Sequence, residues 1–305
     1  MTDTDPDLRR FNAIAARQRG NPAFAEQFAT GLGAQATLAF WRDLADPGAG
    51  FDPRGGRARL LAAVQENLSL TLATATHGTS PAVRAWKDDL LAAGCTRVGG
   101  DGPYGYQVIS SLLTRGRWDT GFLTSYGERL IGFERAGPRH GDPGHGDPLH
   151  GGPQALWLCG DPPRLTYPPG CPVSDNDPVN GFLEALGHNP EASLTFFDRF
   201  GTWEYLVGDG TGPLDTAARV WPVDRDGRTT GYARLGHALE SAALGHPYDA
   251  ETPGVPAPPS AARTALRHRI AHRYRTTDLI DRQEGIRDSL ARVAAAPTAP
   301  DATGS

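Results

Sequence analysis

Leu60, Val64, Leu68, Leu72 and Ala75 follow one another at steps of four, four, four and three residues. Such steps lay side chains along one side of an α-helix, so this stretch predicts a helix with a single stripe turned toward a core. The same spacing recurs earlier in Phe24, Phe28 and Leu32, and again in Leu38, Trp41 and Leu44. Beyond the midpoint it returns in Phe182 and Leu186, in Leu194 and Phe197, and in Leu235, Leu239 and Ala242. Further helices are predicted over Ser80–Ala93, which opens on a Ser-Pro cap, and over Tyr106–Thr114, Asp119–Ala136 and Leu279–Ala296. Period-two alternation rich in β-branched residues is nearly absent, which makes the fold class all-α.

Two parts of the chain are alike. LGAQATLAFWRDL at 32–44 and LGHNPEASLTFFDRF at 186–200 align with a two-residue offset after the Leu-Gly pair, so that Ala36–Trp41 stands against Ala192–Phe197. Each is preceded by an Asx-Pro start, Asn21-Pro22 or Asp177-Pro178, the signature of an N-cap followed by proline in the first helical turn. Downstream, Thr71–Gly78 aligns with Ala238–Gly245, and both stretches end in the glycine that often follows a helix. The chain therefore reads as two related helical-bundle halves, 1–136 and 177–296, joined by a connector over 137–176 and followed by a disordered Pro/Thr/Ser tail at 297–305.

The connector carries His140, His145 and His150 at intervals of five, among GDP twice, GGP, DPP and YPPG. A zinc site needs ligands held near 2.1 Å by a stiff scaffold with a second shell of hydrogen bonds, and glycine on every side supplies neither. The stretch reads as a solvated linker, with no metal site and no cofactor implied. Its apolar patch Ala155-Leu156-Trp157-Leu158 is placed to dock on a flanking bundle. Three cysteines, Cys95, Cys159 and Cys171, make a disulfide framework improbable, although the spacing of Cys159 and Cys171 leaves a bridge between them open.

Formal charge is −5, which gives no general attraction to polyanions. Lys87 is the only lysine, and one local basic patch stands out: the helix predicted over Ala262–Arg275 carries Arg263, Arg267, Arg269, Arg273 and Arg275 around an apolar face of Leu266, Ile270 and Tyr274. These five arginines are the candidate surface for a protein partner or for phosphate backbone. No nucleophile elbow, H-E-x-x-H, P-loop or C-x-x-C motif is present, and Gly99-Gly100-Asp101-Gly102 follows no strand, so it reads as a loop. His188 and His237 each follow a Leu-Gly pair, with carbonyls or neighbouring helices as their expected partners. Glu184, Glu191 and Glu240 are placed near helix N-termini, where the dipole favours acids. No run is long and apolar enough for a membrane span, and a signal-type N-terminus is lacking, so the expected compartment is the cytoplasm.

The blocks DPVNGFLEALGHNPEASLTFF, WEYLVGD, GYARLGHALESAALG and IRDSLARVAAA, in that order over 177–296, resemble a group of uncharacterised, mainly helical proteins of streptomycetes and related actinobacteria. NPAFAEQFATGLG, TLATAT and GRWDTGFLTSYGERLIGFE carry the likeness into the first half. The resemblance implies a helical architecture and, from the settings of some members, a link to secretion or inter-bacterial conflict; it supplies no reaction and no functional residues. This chain departs from the group in having no N-terminal WxG-type hairpin. The functional expectation is a non-enzymatic structural or interaction protein that docks a protein partner through helix faces. The alternatives are a nucleic-acid binder using the 262–275 helix, and an enzyme or toxin with a site between the halves.

Overall fold

The computed structural model describes residues 5–45, 51–137, 153–158, 164–167, 175–199, 201–208, 218–224, 226–250, 260–275 and 277–296. Over these residues the protein is all-α, and the only β pairings are two isolated bridges, Arg97 with Tyr104 and Val223 with Thr229. By compactness the chain divides into two units. Unit 1 is Met1–Ala185 with Val220–Thr230, and unit 2 is Leu186–Arg219 with Gly231–Ser305.

Unit 1 contains α1 (Asp5–Gln18), α2 (Pro22–Leu32), α3 (Ala34–Ala45), α4 (Gly56–Thr76), α5 (Pro81–Ala93), α6 (Gly105–Leu113), α7 (Thr120–Ala136) and α8 (Pro153–Leu158), together with most of α9 (Pro178–His188). The caps are those written in the sequence. Asn21 Oδ1 accepts the N–H groups of Ala23 and Phe24, Ser80 Oγ accepts that of Val83, and Asp119 Oδ1 accepts that of Phe122. Each satisfies a donor that the first turn leaves open. The long α4 is the centre, packed by α1, α2, α5 and α6, so it is buried on more than the one stripe expected of it: Leu61, Val64, Leu68 and Leu72 are joined by buried Gln65, Asn67 and Thr71. At its end Lys87 Nζ donates to the Thr76 carbonyl over 2.9 Å. Trp41, Trp118, Tyr126 and Phe182 are the large side chains that fill the core. Helix α9 meets α6 backbone to backbone, since a Cβ on Gly181 would stand 2.2 Å from the Ser110 carbonyl oxygen. Only glycine permits that approach.

Unit 2 is built around α12 (Tyr232–Leu244), against which α10 (Pro190–Phe197), α13 (Ala261–Arg273) and α15 (Arg287–Ala295) pack; α11 (Thr202–Leu206) follows α10, and α14 (Thr277–Arg282) precedes α15. Leu235, Ala238, Leu239 and Ala242 of α12 are fully buried at three- and four-residue steps. Ser193 Oγ of α10 donates to the Ala238 carbonyl at 2.7 Å, drawing the two helices together. The single helix predicted over Leu279–Ala296 is two, because Gly285 takes φ 97° and Ile286 turns its side chain inward between α14 and α15. The two stretches that align in sequence both form a helix, a one-residue break and a second helix: the break is Gly33 in one and Asn189 in the other.

Candidate functional site

The basic helix forms as α13, with Ser260 Oγ accepting the Arg263 N–H as its N-cap and Leu266, Ile270 and Tyr274 buried on the expected face. Its arginines are directed at the ends of neighbouring helices. Arg269 donates to the carbonyl of Phe197, the last residue of α10, at 3.2 Å, and its guanidinium lies 4.6 Å from the centroid of the Trp203 ring. Arg273 donates to the carbonyl of Val207, which caps α11, and Arg267 to that of Ala296, which caps α15. Arg263, only 8% exposed, pairs with Glu191 in the first turn of α10. A helix C-terminus presents carbonyls without intrahelical partners and a partial negative charge, and a guanidinium answers both. Four of the five candidate residues thus converge on the ends of α10, α11 and α15, while Arg275 stands exposed beyond the helix.

The two Leu-Gly-His triplets meet at one strap. Tyr248 lies flat on His237, with ring centroids 3.8 Å apart and 7° between planes, and tilts against His188 at 5.4 Å. The Tyr248 N–H donates to the Gly187 carbonyl, and His188 Nδ1 sits 3.2 Å from Asp249 Oδ1. A Cβ on Gly187 would come within 2.8 Å of the Tyr248 ring, so the glycine makes room for this stack. Glu191 is in a first turn as expected, but Glu184 and Glu240 are mid-helix, and the dipole does not account for them. Glu240 is 1% exposed and takes a 2.8 Å ion pair from Arg292 of α15.

In unit 1 a half-open groove of about 600 Å³ runs beside α4. Pro22, Leu70 and Ala73 are among its apolar lining, and Arg19, Glu26 and Arg117 among its charged lining. Arg19 is held by Glu66 and Asn67, and the His77 ring contacts the Arg117 carbonyl at 2.8 Å. The Gly99–Gly102 stretch is a loop, as read from the sequence, with Gly99 and Gly100 at positive φ and the Arg97 guanidinium on the Tyr104 ring.

The segments 153–158, 164–167 and 175–178 are packed into unit 1 through buried polar side chains that no sequence motif marked. Gln65 and Trp41 bond to Leu165 and Tyr167, and Gln107 bonds to the carbonyls of Trp157 and Asn176. Ser110 Oγ donates to the Pro178 carbonyl and touches the Tyr126 hydroxyl, which reaches the Tyr106 carbonyl at 2.9 Å. Burial pushes the Tyr106 hydroxyl up to about 12, and holds those of Tyr126, Tyr232 and Tyr274 above the usual phenol range as well.

His140, His145, His150, Cys159 and Cys171 lie outside the described residues. Among the described residues no group of three His, Cys, Asp or Glu side chains is arranged to hold a metal ion, and no helix is long and apolar enough to cross a membrane. No family model, curated protein or solved structure matches the chain.

Proposed function

We propose that this all-α protein is a non-enzymatic interaction protein that receives a helix of a protein partner. The observation that carries the reading is the groove beside α4. Its lining combines apolar Pro22, Leu70 and Ala73 with charged Arg19, Glu26 and Arg117, the mixture that suits the apolar and polar faces of an amphipathic helix. In this reading the protein acts in the cytoplasm and belongs with the actinobacterial group its blocks resemble, its partner being a component of a secretion or conflict system. The aligned helix pairs α2–α3 and α9–α10 are two copies of one ancestral unit.

The test is capture on the immobilised full chain from native actinobacterial lysate, with and without nuclease, beside a Leu70→Glu variant checked by thermal melting. A stoichiometric protein that survives nuclease and is lost with Leu70→Glu is the expected result. Capture that disappears with nuclease, or falls steeply as salt rises, replaces it with the nucleic-acid alternative. Retention of the partner by Leu70→Glu removes the groove from the account.

A further inference from the structure

We infer that the groove beside α4 selects an acidic helix, and that Arg115 and Arg117, in the turn between α6 and α7, make the selection. This rests on the proposed reading of the groove and adds the charge of its occupant. The turn, residues 114–119, is pinned to the end of α4 through its main chain. His77 Nε2 lies 2.8 Å from the Arg117 carbonyl, Trp118 Nε1 donates to the Arg115 carbonyl at 3.0 Å, and the Asp119 N–H donates to Thr76 Oγ1 at 3.0 Å. A carbonyl can only accept, so His77 carries a proton on Nε2. Between the two arginines Gly116 takes φ 85° and lies on α4: a Cβ there would stand 3.0 Å from Leu70 Cδ2 and 3.1 Å from Ala73 Cβ. Only glycine combines that φ with so close an approach.

The side chains of the turn are free where its backbone is not. Arg115 and Arg117 are both exposed, and neither guanidinium has a bond or an ion pair among the described residues. Other basic groups nearby are taken. Arg19 is bonded to Glu66 and Asn67, Arg84 to the Thr79 carbonyl, and Lys87 to the Thr76 carbonyl. Arg117 itself lines the groove with Leu70 and Ala73, and Arg115 is two residues away. Glu26 is the acid of the lining, and it belongs to α2 rather than to the turn. Uncommitted arginines on a fixed turn, in a chain whose formal charge is −5, make this a local positive site that complements carboxylates. A guanidinium takes a carboxylate in two parallel hydrogen bonds, and a backbone already fixed lowers the ordering cost of that pairing. The partner that fits is a helix with an apolar stripe for Leu70 and Ala73 and with aspartate or glutamate three or four residues along, beside the turn.

The probes are two fluorescein-labelled, hydrocarbon-stapled helical peptides with the same leucine stripe, one flanked by glutamates and the other by lysines, titrated by anisotropy against the full chain at low salt. The glutamate peptide is expected to bind about tenfold more tightly than the lysine peptide, and an Arg115→Glu/Arg117→Glu variant to reverse the order. Should that variant not fold, Arg115→Gln/Arg117→Gln is expected to bring the two peptides to equal affinity. Leu70→Glu is expected to weaken both peptides. Equal affinities on the unaltered chain, or an order that survives the double substitution, overturn the inference; if Leu70→Glu still weakens both peptides, the helix reading of the groove stands without it. A preference for the glutamate peptide that Leu70→Glu leaves untouched sets the acidic segment away from the groove and overturns it as well. Binding of neither peptide also overturns it, and the helix reading is then decided by its own capture experiment.

Discussion

Units 1 and 2 both use side chains to hold main-chain carbonyls, and they differ in the donors. In the interior of unit 1 the donors are neutral: Gln65, Gln107, Trp41 and Ser110, each 5% exposed or less, bond to the carbonyls of Leu165, Trp157 and Pro178, while the charged Lys87 serves the partly open end of α4. In unit 2 they are arginines on α13, bonded to carbonyls at helix C-termini, with Arg267, Arg269 and Arg273 partly open to solvent. The difference follows from where the carbonyls lie. Deep in unit 1 a charge would lose its hydration for one hydrogen bond, at a cost of several kcal/mol, whereas an amide gives the same bond for much less. At a helix C-terminus near the surface, the dipole adds to the attraction and the rest of the guanidinium keeps its water.

The sharpest way to break this comparison is Gln65→Leu. It leaves the Tyr167 N–H without its partner and weakens the hold on the Leu165 and Ser111 carbonyls, which keep Trp41 and Thr114. Urea unfolding of unit 1 is expected to show a loss of about 1–3 kcal/mol, the cost of a buried group left unmade. Alkali comes next and acts on both units. Tyr106 near 12, against about 10 unfolded, binds its proton more tightly in the fold. Stability is therefore flat up to about pH 10 and falls above it, by about 1.4 kcal/mol per pH unit for each such tyrosine, because the unfolded chain gives up its protons first. A phenolate step at 295 nm that coincides with loss of far-ultraviolet circular dichroism checks this; helices that persist through the whole phenolate titration contradict it.

Salt separates the units. The six tryptophans fall five in unit 1 and one, Trp203, in unit 2, so the fluorescence difference between the unaltered chain and Trp203→Phe reports on unit 2. Raising salt to about 1 M shortens screening to about 3 Å, and unit 2 is expected to lose about 1 kcal/mol, more than unit 1, whose screened pairs are Arg19–Glu66 and Lys87–Asp119. The smallest effect belongs to Arg275→Ala, which touches no helix end: a change within about 0.5 kcal/mol is expected in thermal melting, and a larger one would show that the basic face works by overall charge rather than by its aimed bonds.

How much of this was legible in the sequence depends on the kind of signal. Pro81–Ala93, announced by a cap at Ser80, and Thr120–Ala136, announced by its apolar stripe, lie within a residue or two of where the sequence puts them. Gly285 hid the break between α14 and α15, since Leu279, Ile286, Leu290 and Val293 keep helical spacing across it. The arginines of α13 were visible but their acceptors were not, because a carbonyl carries no residue type. The same is true of Gln65, one hundred positions from Leu165: inside α4 it reads as a polar residue on a stripe, and only packing shows what its amide faces. Long-range contacts between a side chain and main chain leave no period and no motif.

Lys87 has a consequence of a different sort. As the chain's one lysine, bonded to the Thr76 carbonyl and 3.8 Å from Asp119, it gives amine-directed reagents a single side-chain target. Acylating it requires the ammonium to leave that carbonyl and shed its proton, so the labelling rate works as a clock for the corner where α4 ends and α5 begins. A mass increment on the proteolytic peptide that contains Lys87, which sets it apart from the α-amino group, reads that clock without a spectroscopic probe.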